Sequence, residues 1–351
     1  MQLQLVLPGL LWHGQVLRDI SADLSLPALS WLLGRARQRW LPPAPPEAVL
    51  ATAFGIQPAP GEDLPYAALR RLGDGSDGGQ PAKEGYWLCL DPVCLSIGKR
   101  RLTLATDAPL PDDNEMQAII TALTPLFHEL CPGFRALHLG PGGHAYLHLD
   151  TAPDIQTTPP SFAASPESML PQGSTALPWR KLLNEAQILL HTLPFNLQRE
   201  ETGQSRLNAL WLWGGGTLPR ACPNPAAFTQ VCGPSPLLSG LCRLAALAAP
   251  LQMEAATVLK AAPGTRALVF LDDLQSPAHQ YDALAWSEAL QTLERTWLQP
   301  LCQALRHGTL RHLTLKATGD AAQLELKLSA TARWQFWRRP LPLSHLEIPA
   351  P

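Results

Sequence analysis

Apolar residues recur along this chain with two periods, one suited to strands and one to helices. Gln2 to Leu7 reads as a first strand, and Ser25 and Pro27 then open a helix predicted to run through Trp40. Leu29, Leu33, Ala36 and Trp40 fall at i, i+4, i+7 and i+11 on one face of it, with Arg35, Arg37 and Arg39 on the remaining surface. Leu72 to Lys83 is rich in Gly, Asp and Ser and reads as a turn-rich loop. Three short strands follow, Tyr86 to Leu90, Val93 to Ile97 and Arg101 to Ala105, the last two joined by a turn at Gly98, Lys99 and Arg100. Met116, Ile119, Ile120, Leu123, Phe127 and Leu130 then trace the stripe of an amphipathic helix from Glu115 to Leu130. Arg135 to Leu139 and Ala145 to Leu149 form a second hairpin around Gly-Pro-Gly-Gly. Strand–strand–helix–strand–strand order predicts a smaller α+β domain over residues 86–150.

Beyond a Pro-, Ser- and Thr-rich loop from Thr151 to Thr175 the texture changes again. A helix over Trp179 to Leu190 leads to an apolar strand over Ala209 to Trp213, and Gly240 to Ala248 suits a helix. Ala267 to Leu271 is bounded by Asp272 and Asp273, as a central parallel strand would be. Asp282 is placed to cap a helix reaching His307, bent or interrupted at Pro300. Leu310 to Lys316, the alternating Leu324, Leu326 and Leu328, and Arg333 to Trp337 read as further strands. The expectation is an α/β protein whose core comprises residues 1–80 and 176–351. Its sheet should include Gln2 to Leu7, Ala209 to Trp213, Ala267 to Leu271 and Leu310 to Lys316, with the α+β domain inserted between the halves.

Composition narrows the function classes. Of 351 residues 46% are hydrophobic and 16% charged, enough to bury a large core and too apolar for bulk disorder. The formal net charge of −2, without a basic tail, argues against a dedicated nucleic-acid binder. The 36 prolines cluster in stretches such as LPPAPPEAV, which read as rigid connections. Cys89, Cys94, Cys131, Cys222, Cys232, Cys242 and Cys302 are odd in number and contain no C-x-x-C pair, so buried reduced thiols fit better than zinc or disulfides. The first residues lack the charged start and cleavage site of a signal peptide, and no run reaches the ~18 uninterrupted apolar residues of a membrane span, LLSGLCRLAALAAPL being short and carrying Arg243. A cytoplasmic protein without a membrane partner is expected.

The candidate chemistry is concentrated between Pro178 and Pro219. Arg180, Asn184, Gln187 and His191 share one face of a helix. Asn196, Arg199 and Asn208 follow, and the strand ends in Gly214, Gly215 and Gly216. One reading gathers Arg180, Asn184, His191, Asn196, Arg199 and Asn208 around a pocket for an anionic ligand, completed by glycine amides; the other is an ordinary solvated face and a structural turn. No Gly-Lys-Ser/Thr follows the glycines, so they do not form a P-loop. His144, Tyr146, His148 and Asp150 alternate on one strand face, with His138 on the neighbouring strand; two readings are a metal site and, by default, a solvated hairpin. Lys99, Arg100 and Arg101 form a basic tip. Arg333, Arg338 and Arg339 interleave with Trp334, Phe336 and Trp337, a mixture that a single-strand nucleic-acid platform needs but that packing plus solvated arginine also produces.

These residues resemble a known family. ETGQSRLNALWLWGGGTLP, preceded by Thr192-Leu193-Pro194-Phe195-Asn196, resembles a segment of the archaeal-type cofactor-independent phosphoglycerate mutases of the alkaline phosphatase superfamily. LLNEAQILLH, LWLWGGG and FWRRPLPL are more similar still to bacterial RpfE-type regulatory proteins. The resemblance implies an alkaline-phosphatase-like core sheet flanked by helices, with DPVCLSIGKRRLTLATDA in the inserted domain. It also implies a site that this chain departs from. Pro8-Gly9 stands where the opening strand should end in Asp-Gly, and Leu26 precedes Pro27 where the nucleophilic Ser or Thr belongs. Gln275 replaces an Asp of the D-x-x-x-H element, of which His279 and Asp282 survive as residual metal candidates beside Asp272 and Asp273. Ala-Thr-Gly-Asp replaces Asp-His after the strand LRHLTLKA. Two divalent cations need several anionic ligands, so the resemblance implies a non-catalytic regulatory or interaction protein with no cofactor, its partner another protein or a small anionic metabolite. The alternative is an active mutase or metal-dependent phosphatase with rearranged ligands.

Overall fold

The structure, a computed structural model, describes residues 1–12, 14–58, 62–75, 85–97, 102–105, 110–162 and 170–349. The chain opens with β1 (Gln2–Leu11), α1 (Gly14–Ser21), α2 (Pro27–Arg35), β2 (Arg37–Leu41) and α3 (Pro46–Ala53). It continues through α4 (Tyr66–Asp74), β3 (Tyr86–Ile97), β4 (Leu102–Ala105), α5 (Asp113–Leu130), β5 (Phe134–Leu139) and β6 (Ala145–Leu149). Then come α6 (Ala176–His191), α7 (Pro194–Glu201), β7 (Ala209–Gly216), β8 (Gln230–Cys232), α8 (Pro236–Leu244), α9 (Ala255–Val258) and β9 (Arg266–Phe270). The last elements are α10 (Gln275–Gln280), α11 (Ala283–Leu293), a π-turn at Glu294–Leu298, α12 (Gln299–His307), β10 (His312–Gly319) and β11 (Gln323–Ser329).

The chain forms two compact units. The first comprises Met1–Phe54, Asn224–Ser235 and Ala245–Pro351. It holds a six-stranded sheet in the order β2-β11-β10-β1-β9-β8. β1 pairs in parallel with β10 (Gln2 opposite His312) and with β9 (Gln2 opposite Arg266), and β8 extends the parallel set. β11 and then β2 close one side antiparallel. Leu5, Leu7, Val269, Leu313, Leu315 and Leu326 form one core with Leu29, Leu32, Trp286, Leu290, Leu298 and Leu301. Full burial of each such side chain contributes about 1.5–3 kcal/mol. The runs Gln2 to Leu7, Ala267 to Leu271 and Leu310 to Lys316 therefore lie where their apolar texture places them.

The second unit comprises Gly55–Pro223 and Pro236–Leu244. Its sheet is built on β3, which pairs antiparallel with β4, β6 and β7, while β5 pairs with β6. α5 and α6 pack on it through Met116, Ile119, Leu123, Phe127, Trp179, Leu182 and Ala186. α5 starts with a capping box, in which Glu115 N donates to Asp112 and Asp112 N donates to Glu115.

Several elements differ from the sequence reading. Ala209 to Trp213 belongs to β7 in this second sheet and not to the core sheet, because its antiparallel partner is β3. The compact unit around the hairpins thus runs well beyond 86–150, taking in α4, α6, α7, β7 and α8. The helix expected through Trp40 ends at Arg35, where Ala36 turns extended, and Arg37–Leu41 pairs with β11 instead. The two strands expected over Tyr86 to Ile97 are one. The helix expected over Gly240 to Ala248 lies at Pro236–Leu244, and Arg333 to Trp337 is not a strand, since a 3-10 turn covers Ala330–Trp334. The turn at Gly98, Lys99 and Arg100, with Arg101, and parts of the two long loops lie outside the described residues.

Candidate functional site

In open α/β sheets, ligands bind beyond the carboxyl ends of the strands. In the first unit that place is bounded by the end of β1, the start of α2 and the segment after β9. Each has its own local chemistry.

β1 ends in a bulge: Pro8 pairs with Thr318, but Leu11 is the next residue in register, opposite Gly319. Gly9 sits at φ +78°, and a Cβ there would stand 2.5 Å from the Leu274 carbonyl oxygen, so only glycine fits. Trp286 Nε1 donates to the Gly9 carbonyl at 2.8 Å. The Trp12 ring lies 5.3 Å from Trp286 and 6.3 Å from Tyr281. Aromatic rings thus fill the strand end at which a carboxylate ligand was expected.

α2 begins at Pro27 behind a buried Leu26 that offers no capping oxygen. Helix N-termini attract anions because their first amides lack partners. Here the anion is internal. The amides of Ala28 and Leu29 donate to Glu294 Oε1 and Oε2 at 2.6 and 3.1 Å. Glu294 is 2% exposed and sits in the π-turn that joins α11 to α12. π-turns redirect side chains out of helical register. This contact was not anticipated from sequence, although a signal exists. Leu290, Glu294, Leu298 and Leu301 share one buried stripe, and a carboxylate on an apolar stripe must find donors.

After β9 the surviving acidic residues do not converge. Asp282 caps α11, its Oδ1 accepting from Ala285 N at 3.0 Å. Burial, with a smaller contribution from the charge of Asp273, pushes the Asp272 carboxyl above its ordinary pKa. Asp320, after β10, is exposed. Among the described residues no three His, Cys, Asp or Glu side chains are grouped so as to hold a metal ion. The two-cation centre that the sequence resemblance implies does not fit the donors among the described residues.

The second unit holds the helix and glycine segment, and there the candidate residues are bound to the protein itself. Asn196, fully buried, donates to the carbonyls of Leu190 and Leu207 and accepts from Leu207 N. Arg199 makes a bidentate pair with Glu115 at 2.8 Å and also donates to Leu110 and Ser205. The Asn208 side chain pairs with both backbone groups of Leu95, extending the β3–β7 ladder. Arg180 holds the Pro171 carbonyl and Gln172; Asn184 is exposed, and His191 is exposed beside Arg206. The glycines serve packing: a Cβ on Gly214, Gly215 or Gly216 would stand 2.8, 2.3 or 2.6 Å from Tyr66, Tyr86 or Pro65. The Gly214 amide donates to Thr157 Oγ1 at 3.0 Å. Asn196, Arg199 and Asn208 thus anchor α7 and β7 through bonds within the protein, while Asn184 and His191 are exposed on α6.

The hairpin histidines are likewise accounted for by packing. His148 stacks on Trp87 at 4.0 Å with ring planes 5° apart, His138 lies 5.1 Å from the same ring, and Asp150 pairs with Arg135. Sequence reasoning missed the charged group nearby. Arg70 of α4 clasps Asp91 of β3 at 2.9 and 3.2 Å and donates to Tyr146 Oη. Trp213 Nε1 also donates to Asp91, and Tyr146 Oη donates to Asp74. Burial alone would raise the Asp91 pKa; Arg70 and hydrogen bonding from His144 outweigh it and hold the carboxyl well below the ordinary range.

No protein-family model matches the chain. Over 88 residues it is 33% identical to the 2,3-bisphosphoglycerate-independent phosphoglycerate mutase of Methanosarcina barkeri (strain Fusaro / DSM 804). That stretch is 23% of this chain and 22% of the relative, so the match spans less than a quarter of that protein's length. The solved structure of the PH0037 protein from Pyrococcus horikoshii superposes with a TM-score of 0.55 at 13% identity, covering 98% of this chain and 91% of that one. The cofactor-independent phosphoglycerate mutase from Thermoplasma acidophilum DSM 1728 gives a TM-score of 0.46 at 17% identity over 98% and 94% of the two chains, too loose a fit to argue from. The chain thus has a mixed α/β fold like that of the PH0037 protein, and over 88 residues stands in distant relation to a 2,3-bisphosphoglycerate-independent phosphoglycerate mutase.

Proposed function

We propose that this protein is a non-catalytic regulatory or interaction protein on a phosphoglycerate-mutase-like scaffold, of the kind its RpfE-type resemblance implies. One observation carries the reading. At the start of α2, where the resemblance places a nucleophilic hydroxyl, there is a buried leucine, and the amides beside it are held by the Glu294 carboxylate. A phosphoryl group arriving there would have to displace a buried carboxylate and face no nucleophile. Two further observations support it: the end of β1 is filled by Trp12 and Trp286, and Asp282 is engaged as a helix cap.

The test is an assay of 2- and 3-phosphoglycerate interconversion with the full chain in the presence of manganese, cobalt, zinc or magnesium, together with metal analysis of the purified protein. The expected outcome is no turnover and less than one equivalent of tightly held metal. Stoichiometric metal with turnover that disappears in His279→Ala would overturn the proposal and favour the rearranged-ligand enzyme.

A further inference from the structure

β2 is the outermost strand of the six-stranded sheet, paired only through β11. Among the described residues no other backbone hydrogen bond reaches residues 37–41, so alternate peptide groups of β2 face an open edge. Beside this edge lies an open cavity of about 630 Å³, lined by Leu33, Gly34, Arg37, Gln38, Arg338 and Arg339 among others. Its lining combines the apolar Leu33, Ala36 and Leu341 with three arginines.

The two segments that line it carry arginine, while on the inner side of β2 Glu325 of β11 lies opposite Arg39 and pairs with Lys327. Residues 33–41 contain Arg35, Arg37 and Arg39, and residues 330–346 contain Arg333, Arg338 and Arg339; neither stretch has an Asp or Glu. No salt bridge reaches any of these six arginines among the described residues. Arg35 and Arg306 both lie 4.9 Å from the Trp31 ring, and Arg35 Nε and Nη1 are buried without an acceptor. Desolvation, followed by the charge of Arg306, lowers the pKa of Arg35, which marks the crowding of like charge. Trp334, Phe336 and Trp337, in the segment leading to Arg338, are 64%, 83% and 66% exposed.

A second copy of this chain is a poor occupant, since edge-to-edge pairing of β2 would set arginine against arginine. Arg338 donates weakly to the carbonyls of Arg35 and Ala36 and Arg333 to that of Arg306, so these guanidinium groups lack a carboxylate partner, and an acidic strand supplies one together with partners for the open peptide groups. We propose that β2 and its cavity form a docking edge for an extended acidic peptide, which adds to the sheet as a strand and sets its carboxylates against Arg37, Arg338 and Arg339. Strand addition supplies affinity through the backbone and specificity through alternate side chains, and arginine binds carboxylate bidentately. This inference goes beyond the non-catalytic reading and does not depend on it.

The experiment titrates the full chain into a fluorescein-labelled decapeptide of alternating Glu and Val at physiological salt. A decapeptide of alternating Glu and Pro has the same charge but only half the backbone donors. Saturable binding of the first, at least an order of magnitude tighter than the second, is expected. It should be lost in Arg338→Glu/Arg339→Glu with an unchanged melting temperature; should that pair melt early, Arg339→Gln alone should weaken it. Equal binding of the two peptides would reduce the site to non-specific charge and overturn the proposal. So would absence of binding, tighter capture of a single-stranded oligonucleotide by the same arginines, or a β2-mediated dimer in sedimentation. None of these readings changes with the mutase assay, so the two proposals fail separately.

Discussion

Glu294 is the side chain from which most follows. Its two hydrogen bonds to Ala28 and Leu29 tie the π-turn to the start of α2. Removing one partner of a buried, charge-assisted pair leaves amides unsatisfied at a cost of about 1–3 kcal/mol. Glu294→Ala is therefore expected to lower stability by that amount in urea unfolding, and Glu294→Gln by less, because its amide oxygen can still accept. Unchanged stability in both would mean that the carboxylate does not hold the helix. Pro8 and Leu26 act differently: both are apolar, Leu26 is buried at the start of α2, and beyond Pro8 the Trp12 and Trp286 rings pack together while Trp286 Nε1 donates to the Gly9 carbonyl.

Arg70 and Asp91 join four elements, because their partners Tyr146 and Trp213 come from β6 and β7 while they themselves sit on α4 and β3. Breaking such a buried pair costs about 3–5 kcal/mol, so Asp91→Asn should destabilise the second unit by roughly that amount. The pH dependence has a definite sign. Asp91 titrates below its ordinary value in the folded protein and near 3.9 in the unfolded chain. Its contribution is therefore complete above about pH 5 and lost as pH falls toward the native pKa. The advantage of the parent over Asp91→Asn should be flat from neutral pH down to about 5 and shrink below about 4 in urea titrations. An advantage that grows on acidification would contradict the ion pair. The same four elements show what local pattern leaves open: β7 reads as a buried strand from sequence, but only its register with β3, Val93 opposite Ala209, assigns it to the second sheet.

Across the whole chain the seven cysteines report on folding. All are buried and unbridged, and burial pushes Cys131 up to about 12 and Cys232 up to about 11. Thiolate is the reactive form, so a thiol reagent at neutral pH should label less than one cysteine per native chain and all seven in denaturant. Fast labelling of the native protein would show that a core is open. No helix among the described residues is long and apolar enough to cross a membrane.

By itself the sequence determined the α/β class, the core runs Gln2 to Leu7, Ala267 to Leu271 and Leu310 to Lys316, the amphipathic helix α5 and the cap at Asp282. These are local properties: periodicity, capping and residue type are fixed within a few positions of the chain. The tertiary structure alone decided that Trp40 ends in a strand, that β7 belongs to the second sheet, that Asn196, Arg199 and Asn208 are anchors, and that Glu294 closes the start of α2. Most of those depend on a partner chosen by packing at long range, 266 positions away for Glu294 and Ala28 and 113 for Asn208 and Leu95, and no pattern along the chain encodes which donor a buried carboxylate will meet.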